Sequence, residues 1–502
     1  MRARTTPSND LGSPAPDTGD SGLDAFWDLE RWLSSDASRD LGLSCVERES
    51  ERQGRELLRL LLQAHIDGRG TGDVGNSLRL AHPEGSSVLL THKRLHTRRL
   101  VTLFGTVSVT RMGYRRPASR SVHPLDAELQ LPARVYSYEI QRRLVKAAVQ
   151  GPFDEARAIL ADATGVSVPK RSAERIVLDA SVDFGDFYAQ RVGPDEGETQ
   201  APILVGAIDC KGIPMVKPEP ATKVVRLRKG KKRQKKKMST VAAVFGQMPK
   251  PRTPEEIVAR LFDPDSTPRK KDPHRDHRYH RPRHKRVWAS LLAGKDAFIS
   301  EVKEEMIRRD PRHLKSWVIV TDGERALQLR VCRSFPDVTL VLDLLHVLQK
   351  LWAAAYALHA EGTAEAEAFV RERALRILRG KVSGVVQGLR QIVTKRQIQG
   401  PKRKTLLDVA AYYYRNRTRM RYDQYLDNGW PIASGSVEGA CKNLIKDRME
   451  RSGMRWTPPM AEAMLRLRAI YLSGDFDEYW DFHVQQDQIR LYGLTPWTVV
   501  AK

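Results

Sequence analysis

Three acidic residues are the part of this sequence best suited to chemistry. Asp209 ends the apolar run APILVGAID, Asp322 ends the apolar run in SWVIVTDGERAL, and Glu438 lies in ASGSVEGACKNLIKDRME, just after serines suited to cap a helix. Taken singly, each reads as an ordinary turn or cap residue. As a set they imply more. Two carboxylates about 4 Å apart repel by about 4 kcal/mol at an effective dielectric near 20, so three stay ionised together only if a cation compensates. Oxygen-only ligands select hard cations, Mg²⁺ or Mn²⁺. Two such ions roughly 3.5–4 Å apart clamp the attacking and leaving oxygens of an in-line phosphoryl displacement. The chemistry implied is phosphodiester cleavage or transfer.

For these acids to meet, the chain between them must bring strand ends and a helix start together. Val318, Ile319 and Val320 read as a buried strand stopped by Asp322 and Gly323. VTLVLD is a strand ending in Asp343, MSTVAAVFG is another, and GIPMV after Lys211 is expected to pair back as a hairpin strand. Strands alternating with helices describe an α/β sheet, in which ligands gather at strand ends. Ser434 or Ser436 is the expected N-cap of the helix carrying Glu438, and Val437, Cys441, Leu444 and Ile445 its buried stripe. In the first turn of that helix the Glu438 carboxylate is held ionised by the helix N-terminus. LLHVLQKLWAAAYALHA continues as a helix, and the pattern from about 360 to 428 stays helical and basic, with no strand signal.

The 85 basic and 61 acidic residues leave a net charge of +24, which favours a polyanion as partner, most often nucleic acid. The run VVRLRKGKKRQKKK, with Lys231, Lys232, Arg233, Lys235, Lys236 and Lys237, cannot fold on itself and is expected to be an extended loop tracking phosphates. Histidines 274, 277, 280 and 284 alternate with arginines, which disfavours a cation and favours a second basic loop. Upstream, Ala156, Ile159, Leu160 and Ala163 mark one face of a helix ended by Gly165; a second helix opened by Pro169 carries Lys170, Arg171 and Arg175. The pair suits a helix-turn-helix docking on DNA. In RRLVTLFGTVSVTRMGYRR, a hairpin around Gly105 is expected to bury Val101, Leu103, Val107 and Val109 on one face.

Several classes are excluded. A hydrophobic content of 41% is too high for wholesale disorder, and the length suits two to four domains. The four cysteines show no CxxC spacing, so neither a zinc knuckle nor a disulfide scaffold is indicated. No apolar run reaches the roughly 18 residues of a membrane span, and the start of the sequence has no apolar signal core. The expectation is a cytoplasmic, nucleoid-associated chain with no membrane partner.

VGAIDCKG, VIVTDGERAL, DLLHVLQKLW and ASGSVEGACKNLIKDRMERSGMRW together resemble bacterial insertion-sequence transposases with a DDE triad and an RNase H-like core, and among them the ISKra-four family. The last block is the most specific, and the resemblance runs from about Phe104 onward. It implies that Asp209, Asp322 and Glu438 are the catalytic triad holding two Mg²⁺ (or Mn²⁺) ions. It also implies that the helical segment before Glu438 is an insertion, and that Asp343 and His346 lie beside the active site. RSGMRW then offers Arg451 and Arg455 for the DNA backbone and Trp456 for base stacking. The expected fold is α/β: an RNase H-like mixed sheet with an all-helical insertion, preceded by helices, a β-hairpin and a helix-turn-helix. Its expected divisions are a disordered tail (1–22), a helical and hairpin region (23–135), the helix-turn-helix (136–195), the first part of the core (196–350, with a basic loop at 224–286), the insertion (351–430), and the rest of the core with a C-terminal tail (431–502). The function implied is cleavage at element ends and strand transfer into target DNA, by a homodimer or larger synaptic complex on double-stranded DNA. A domesticated, non-catalytic DNA-binding protein and a metal-dependent nuclease are the alternatives. One departure is that YRRPASRSVHPLD, after the hairpin, lacks the cysteine pair of many such transposases, which argues against zinc there.

Overall fold

Residues 18–81, 87–191, 201–216, 236–263 and 281–493 are described in the computed structural model. The chain divides into two units, Met1–Ile176 with Trp480–Lys502, and Val177–Tyr479.

In the first unit the helix Thr18–Ser34 begins inside the segment expected to be a disordered tail, and it packs on the long helix Leu43–Gly68. Two hairpins follow. β1 (Leu78–Ala81) pairs with β2 (Ser87–Leu90), and β3 (His92–Thr102) pairs with β4 (Gly105–Arg115), all antiparallel. The buried face of the second hairpin differs from expectation. Only Leu103 and Phe104 separate Thr102 from its partner Gly105, so Leu100 stands opposite Val107. The buried set is therefore Leu100, Thr102, Val107 and Val109, while Val101 and Leu103 are only partly covered. A two-residue turn fixes this register, and a one-residue slip puts the neighbouring side chain on the core face. Leu100, Val107 and Val109 form a core with Ile66, Leu125 and Leu131. The helices Phe153–Thr164 and Lys170–Ala180 flank a left-handed Gly165 at φ 69°.

The second unit is built on a five-stranded sheet in the order β7 (Arg283–Ser290), β6 (Lys236–Gln247), β5 (Ile203–Pro214), β8 (Ser316–Thr321), β9 (Thr339–Leu342). β6 is antiparallel to both β7 and β5, and β5, β8 and β9 are mutually parallel. GIPMV does not turn back. Gly212, Ile213 and Pro214 continue β5, with Ile213 fully buried and paired to Lys237. The hairpin partner is instead β6, and Lys236 and Lys237 are its first residues rather than part of a loop. β7 was not expected from the sequence, because its first residues are basic; burial begins only at Arg286, whose charge is paired with Glu305. Arg286 also stacks 3.5 Å from the centre of Tyr188 and 4.5 Å from that of Trp288. This lets a cation sit in the core without being left unpaired.

The helix Lys295–Arg309 packs on β5 and β6, and Pro458–Ser473 packs on β7. Between 351 and 430 the chain is helical, with the helices Ala364–Leu378, Val382–Lys395, Gly400–Asn416 and Tyr422–Asp427. Two tyrosines tie this segment to the sheet layer. The Tyr413 hydroxyl donates to the Val347 carbonyl at 2.8 Å and the Tyr422 hydroxyl to the Leu342 carbonyl at 2.6 Å. Among the described residues no helix is long and apolar enough to cross a membrane.

Candidate active site at the β5–β8 junction

β5 and β8 pair in parallel up to Ile208 opposite Thr321. Asp209 and Asp322 are the next residue of each, so their backbones leave the ladder side by side, about 5 Å apart by strand spacing. Asp209 does not stop its strand. It sits in the middle of β5, at the point where the partner on the β8 side ends and pairing with β6 continues. Both aspartates are half-buried. Burial raises the Asp322 carboxyl above its ordinary pKa. The negative charge of Asp209 adds to this, while the Glu324 amide and His346 partly offset it. A buried carboxyl raised by a neighbouring carboxylate is a site at which added positive charge is favourable.

Each aspartate is held locally. The Asp209 carboxylate accepts from the Cys210 amide at 2.6 Å and from the Cys441 thiol at 3.2 Å. Asp322 accepts from the Glu324 amide at 2.9 Å, and its own carbonyl accepts from the Tyr412 hydroxyl at 3.2 Å. The turn depends on Gly323, at φ 90°. A Cβ there would stand 2.3 Å from the Tyr412 hydroxyl and 2.8 Å from Leu342. Tyr412 belongs to the helical segment expected as an insertion, so that segment reaches the site. Burial, and then the charge of Asp322, push the Tyr412 hydroxyl up to about 12. Lys295 pairs with Glu324 at 2.8 Å and places a cation beside this turn.

Glu438 lies in the short helix Gly435–Ala440, which packs against β5, β6 and β7; its side chain is outside the described residues. The chain then winds as a π-helix over Cys441–Lys446, which also packs on β5. Cys441, Leu444 and Ile445 of the expected stripe are buried, and the side chain of Val437 lies outside the described residues. Burial, and then the Asp209 carboxylate, raise the Cys441 thiol well above its ordinary pKa, so it remains a protonated donor. Tyr412 and Lys295 were not singled out from the sequence, and Cys441 was read there only as part of the buried stripe of the Glu438 helix.

Asp343 is fully buried and has no oxygen facing solvent. One oxygen accepts from the Leu345 amide at 2.7 Å; the other accepts from the Ser434 amide at 2.9 Å and from the Ser434 hydroxyl. The Asp343 amide donates to the Thr321 carbonyl at 2.9 Å. Asp343 therefore joins the end of β8, the start of the helix Leu344–Tyr356 and the approach to the Glu438 helix. Ser434 serves this clip through its hydroxyl. His346 is half-buried and close enough to Asp322 to act on its charge.

The expected DNA-contacting residues fare differently. Trp456 is 4% exposed, so it does not stack on bases. Its backbone amide donates to the Pro214 carbonyl, the Val216 amide donates to its own carbonyl, and its indole donates to the Met449 carbonyl. The physical reason is that its backbone pairs with the end of β5, and the buried Arg448 guanidinium lies 5.0 Å from the centre of its ring. Arg451 and Arg455 are exposed. Lys170, Arg171 and Arg175 are exposed on a helix whose other face buries Ala173 and Ile176; Lys170 lies 3.7 Å from Asp154. Lys231, Lys232, Arg233 and Lys235 lie outside the described residues, as do histidines 274, 277 and 280; His284 is exposed at the start of β7. Lys236 pairs with Glu450 at 2.7 Å. Lys236 is five residues along β6 from Val241, the partner of Asp209, which puts the Lys236 backbone about 17 Å along the sheet from that of Val241.

Among the described residues no three His, Cys, Asp or Glu side chains gather as a metal-binding group. Asp209 and Asp322 supply oxygen donors alone, which suits a hard divalent cation, with Glu438 on a neighbouring helix. No family model matches this chain, and no curated protein matches it. Among solved structures it is similar to the Drosophila P element transposase strand transfer complex, at 10% identity over 70% of this chain and 80% of that one, with a TM-score of 0.24, an overlap from which neither fold nor activity follows.

Proposed function

We propose that the chain is a DNA transposase of the DDE type, with Asp209, Asp322 and Glu438 as its carboxylates. The observation that carries this reading is the emergence of Asp209 and Asp322 side by side from the β5–β8 ladder, with the Glu438 helix packed on β5 and its neighbours β6 and β7. A mixed sheet with the acids at its central parallel pair supports an RNase H-like core. The net charge of +24 supports a polynucleotide substrate.

On this reading Asp209 and Asp322 bind Mg²⁺ or Mn²⁺, joined by Glu438. The bound ions supply Lewis-acid activation of the attacking oxygen and stabilisation of the leaving one. The protein groups set the geometry. The Cys441 thiol and the Cys210 amide orient the Asp209 carboxylate, while Gly323 and Tyr412 fix the turn that presents Asp322. Lys170, Arg171 and Arg175 contribute recognition of element ends. Arg451, Arg455 and the basic residues Lys231, Lys232, Arg233 and Lys235 contribute backbone contacts. Double-stranded DNA at element ends and target is the substrate, in a homodimer or larger assembly.

The test is strand cleavage and joining on DNA from the ends of the element, with Mg²⁺ or Mn²⁺. Asp209→Asn, Asp322→Asn and Glu438→Gln are expected to bind the DNA as well as the parent or better, because less negative charge faces the phosphates, and to lose both reactions. Cleavage without joining by the parent would assign a nuclease, and binding with neither reaction a non-catalytic binder. Near-normal strand transfer by Glu438→Gln would remove Glu438 from the set. Glu450 would then be tested next, although its pairing with Lys236 argues against it.

A further inference from the structure

The face of the β3–β4 hairpin that buries Leu100 and Val107 changes character away from the turn. Its next positions are Arg98 opposite Val109, then His96 opposite Arg111. Against this polar half stand His123 and Asp126, and together with Arg120 and Tyr492 they enclose a cavity of about 670 Å³, within the range of small-molecule sites at about 300–1,000 Å³.

The charge of this cavity is one-sided. Arg98, Arg99, Arg111 and Arg120 line it with a single carboxylate, Asp126. Asp126 is taken by Arg111, with Arg98 at 3.8 Å, and Arg98 also donates to the Pro132 and Arg134 carbonyls. That fixes two guanidinium planes at the cavity wall. Arg111 Nε and His123 Nε2 are buried there without a protein partner, as is Asp126 Oδ1. Arg99 and Arg120 are exposed. Guanidinium groups held rigidly around a concave wall match the oxygens of phosphate in a way that flexible lysines do not.

We infer that this cavity binds a phosphate group, carried by a nucleotide or by the backbone of a polynucleotide. The second source rests on the transposase reading; the first does not. A phosphate in the cavity accepts from Arg120 and Arg99 at its mouth and from Arg111 within, and restores the charge balance that Asp126 alone leaves positive.

The full chain is titrated with inorganic phosphate, with the dinucleotide pTpT and with a short random-sequence duplex, by calorimetry. Arg99→Ala/Arg120→Ala is compared with Arg115→Ala/Arg116→Ala, which removes the same charge from exposed positions outside the cavity. We expect the first pair to weaken binding about tenfold or more for each charge-assisted hydrogen bond removed, and the second to change it less than twofold. Saturation by phosphate or pTpT identifies a free nucleotide as the source, and saturation by the duplex alone identifies the DNA backbone. In the parent protein, the bound probe is expected to protect Arg120 from phenylglyoxal. The inference is overturned if no probe saturates, if both variants weaken equally, or if Arg120 is modified at the same rate with and without probe. The phosphate and pTpT titrations and the protection of Arg120 require neither strand cleavage nor strand transfer, so failure of one reading does not masquerade as failure of the other.

Discussion

At the scale of single residues the site is held by groups that are chemically modest but sterically fixed. Gly323 combines a left-handed φ with the Tyr412 hydroxyl where a side chain would begin. We predict that Gly323→Ala lowers stability by about 1–3 kcal/mol, the usual cost of a strained backbone position, measured by urea unfolding. The loss should be smaller in a Tyr412→Phe background, since the first clash is with that hydroxyl; additive losses would refute the coupling. The Asp322 carboxyl behaves in the opposite direction. Its pKa is raised by burial and by Asp209, so its ionised form is less favourable in the folded chain than in the unfolded one above the ordinary value of 3.8. Asp322→Asn should therefore raise the unfolding temperature in the presence of EDTA near neutral pH. The gain should shrink as pH falls through the raised pKa, because protonation relieves the same repulsion in the parent. Added Mg²⁺ should raise the unfolding temperature of the parent and not of Asp322→Asn.

At the scale of elements, Asp343 is the residue on which three segments converge. It receives no help from solvent, and its partners are the first turn of one helix and the approach to another. Removing its charge leaves donors unpaired in a buried place, at a cost of about 1.5–3 kcal/mol. Asp343→Ala should show at least that loss in urea unfolding. Ser434→Ala should show less, because the Ser434 amide still donates to the carboxylate. If the clip sets the position of the Glu438 helix, Ser434→Ala should lower strand cleavage more than it lowers DNA binding; an equal effect on both would assign it to stability alone. The π-helix that follows, Cys441–Lys446, turns Cys441 toward Asp209 one turn after Glu438. π-turns of this kind gather at functional sites.

At the scale of the whole molecule the dominant quantity is charge. Replacing Lys231, Lys232, Arg233 and Lys235 by Gln is expected to weaken DNA binding without regard to sequence. It should also flatten the slope of log K against log salt by roughly 0.9 for each phosphate no longer neutralised. An unchanged slope would make the run a solvated segment. Lys236 is left out of that set because it is committed to Glu450. The first unit also carries a pH response. Burial, and then Arg111, lower His123 from its ordinary 6.5 to about 4, with Asp126 opposing and His96 and Arg98 adding to the effect. Between those two values the unfolded chain takes up the proton first, so stability should fall as pH drops through this window and be unaffected above it. His123→Gln should flatten that part of the curve, followed by thermal unfolding across the window.

The sequence by itself determined the strands that carry Asp209, Asp322 and Asp343 and the helical character of 351–430, because apolar runs and helical spacing are local properties that neighbours in the fold rarely reverse. It did not determine register or continuity. The hairpin face moved by one residue because a two-residue turn, invisible in the alternation, sets which side chains oppose each other. β5 ran on past Asp209 because β6 was there to pair with it, and β7 took its place as an edge strand because Glu305 neutralised a buried arginine. Trp456, which looks like a stacking residue beside arginines, is buried because the chain returns to cover the end of β5. Tyr412 and Cys441 acquired their roles only when distant segments met Asp322 and Asp209. Such contacts depend on which surfaces face each other in three dimensions, and no spacing along the chain encodes that directly.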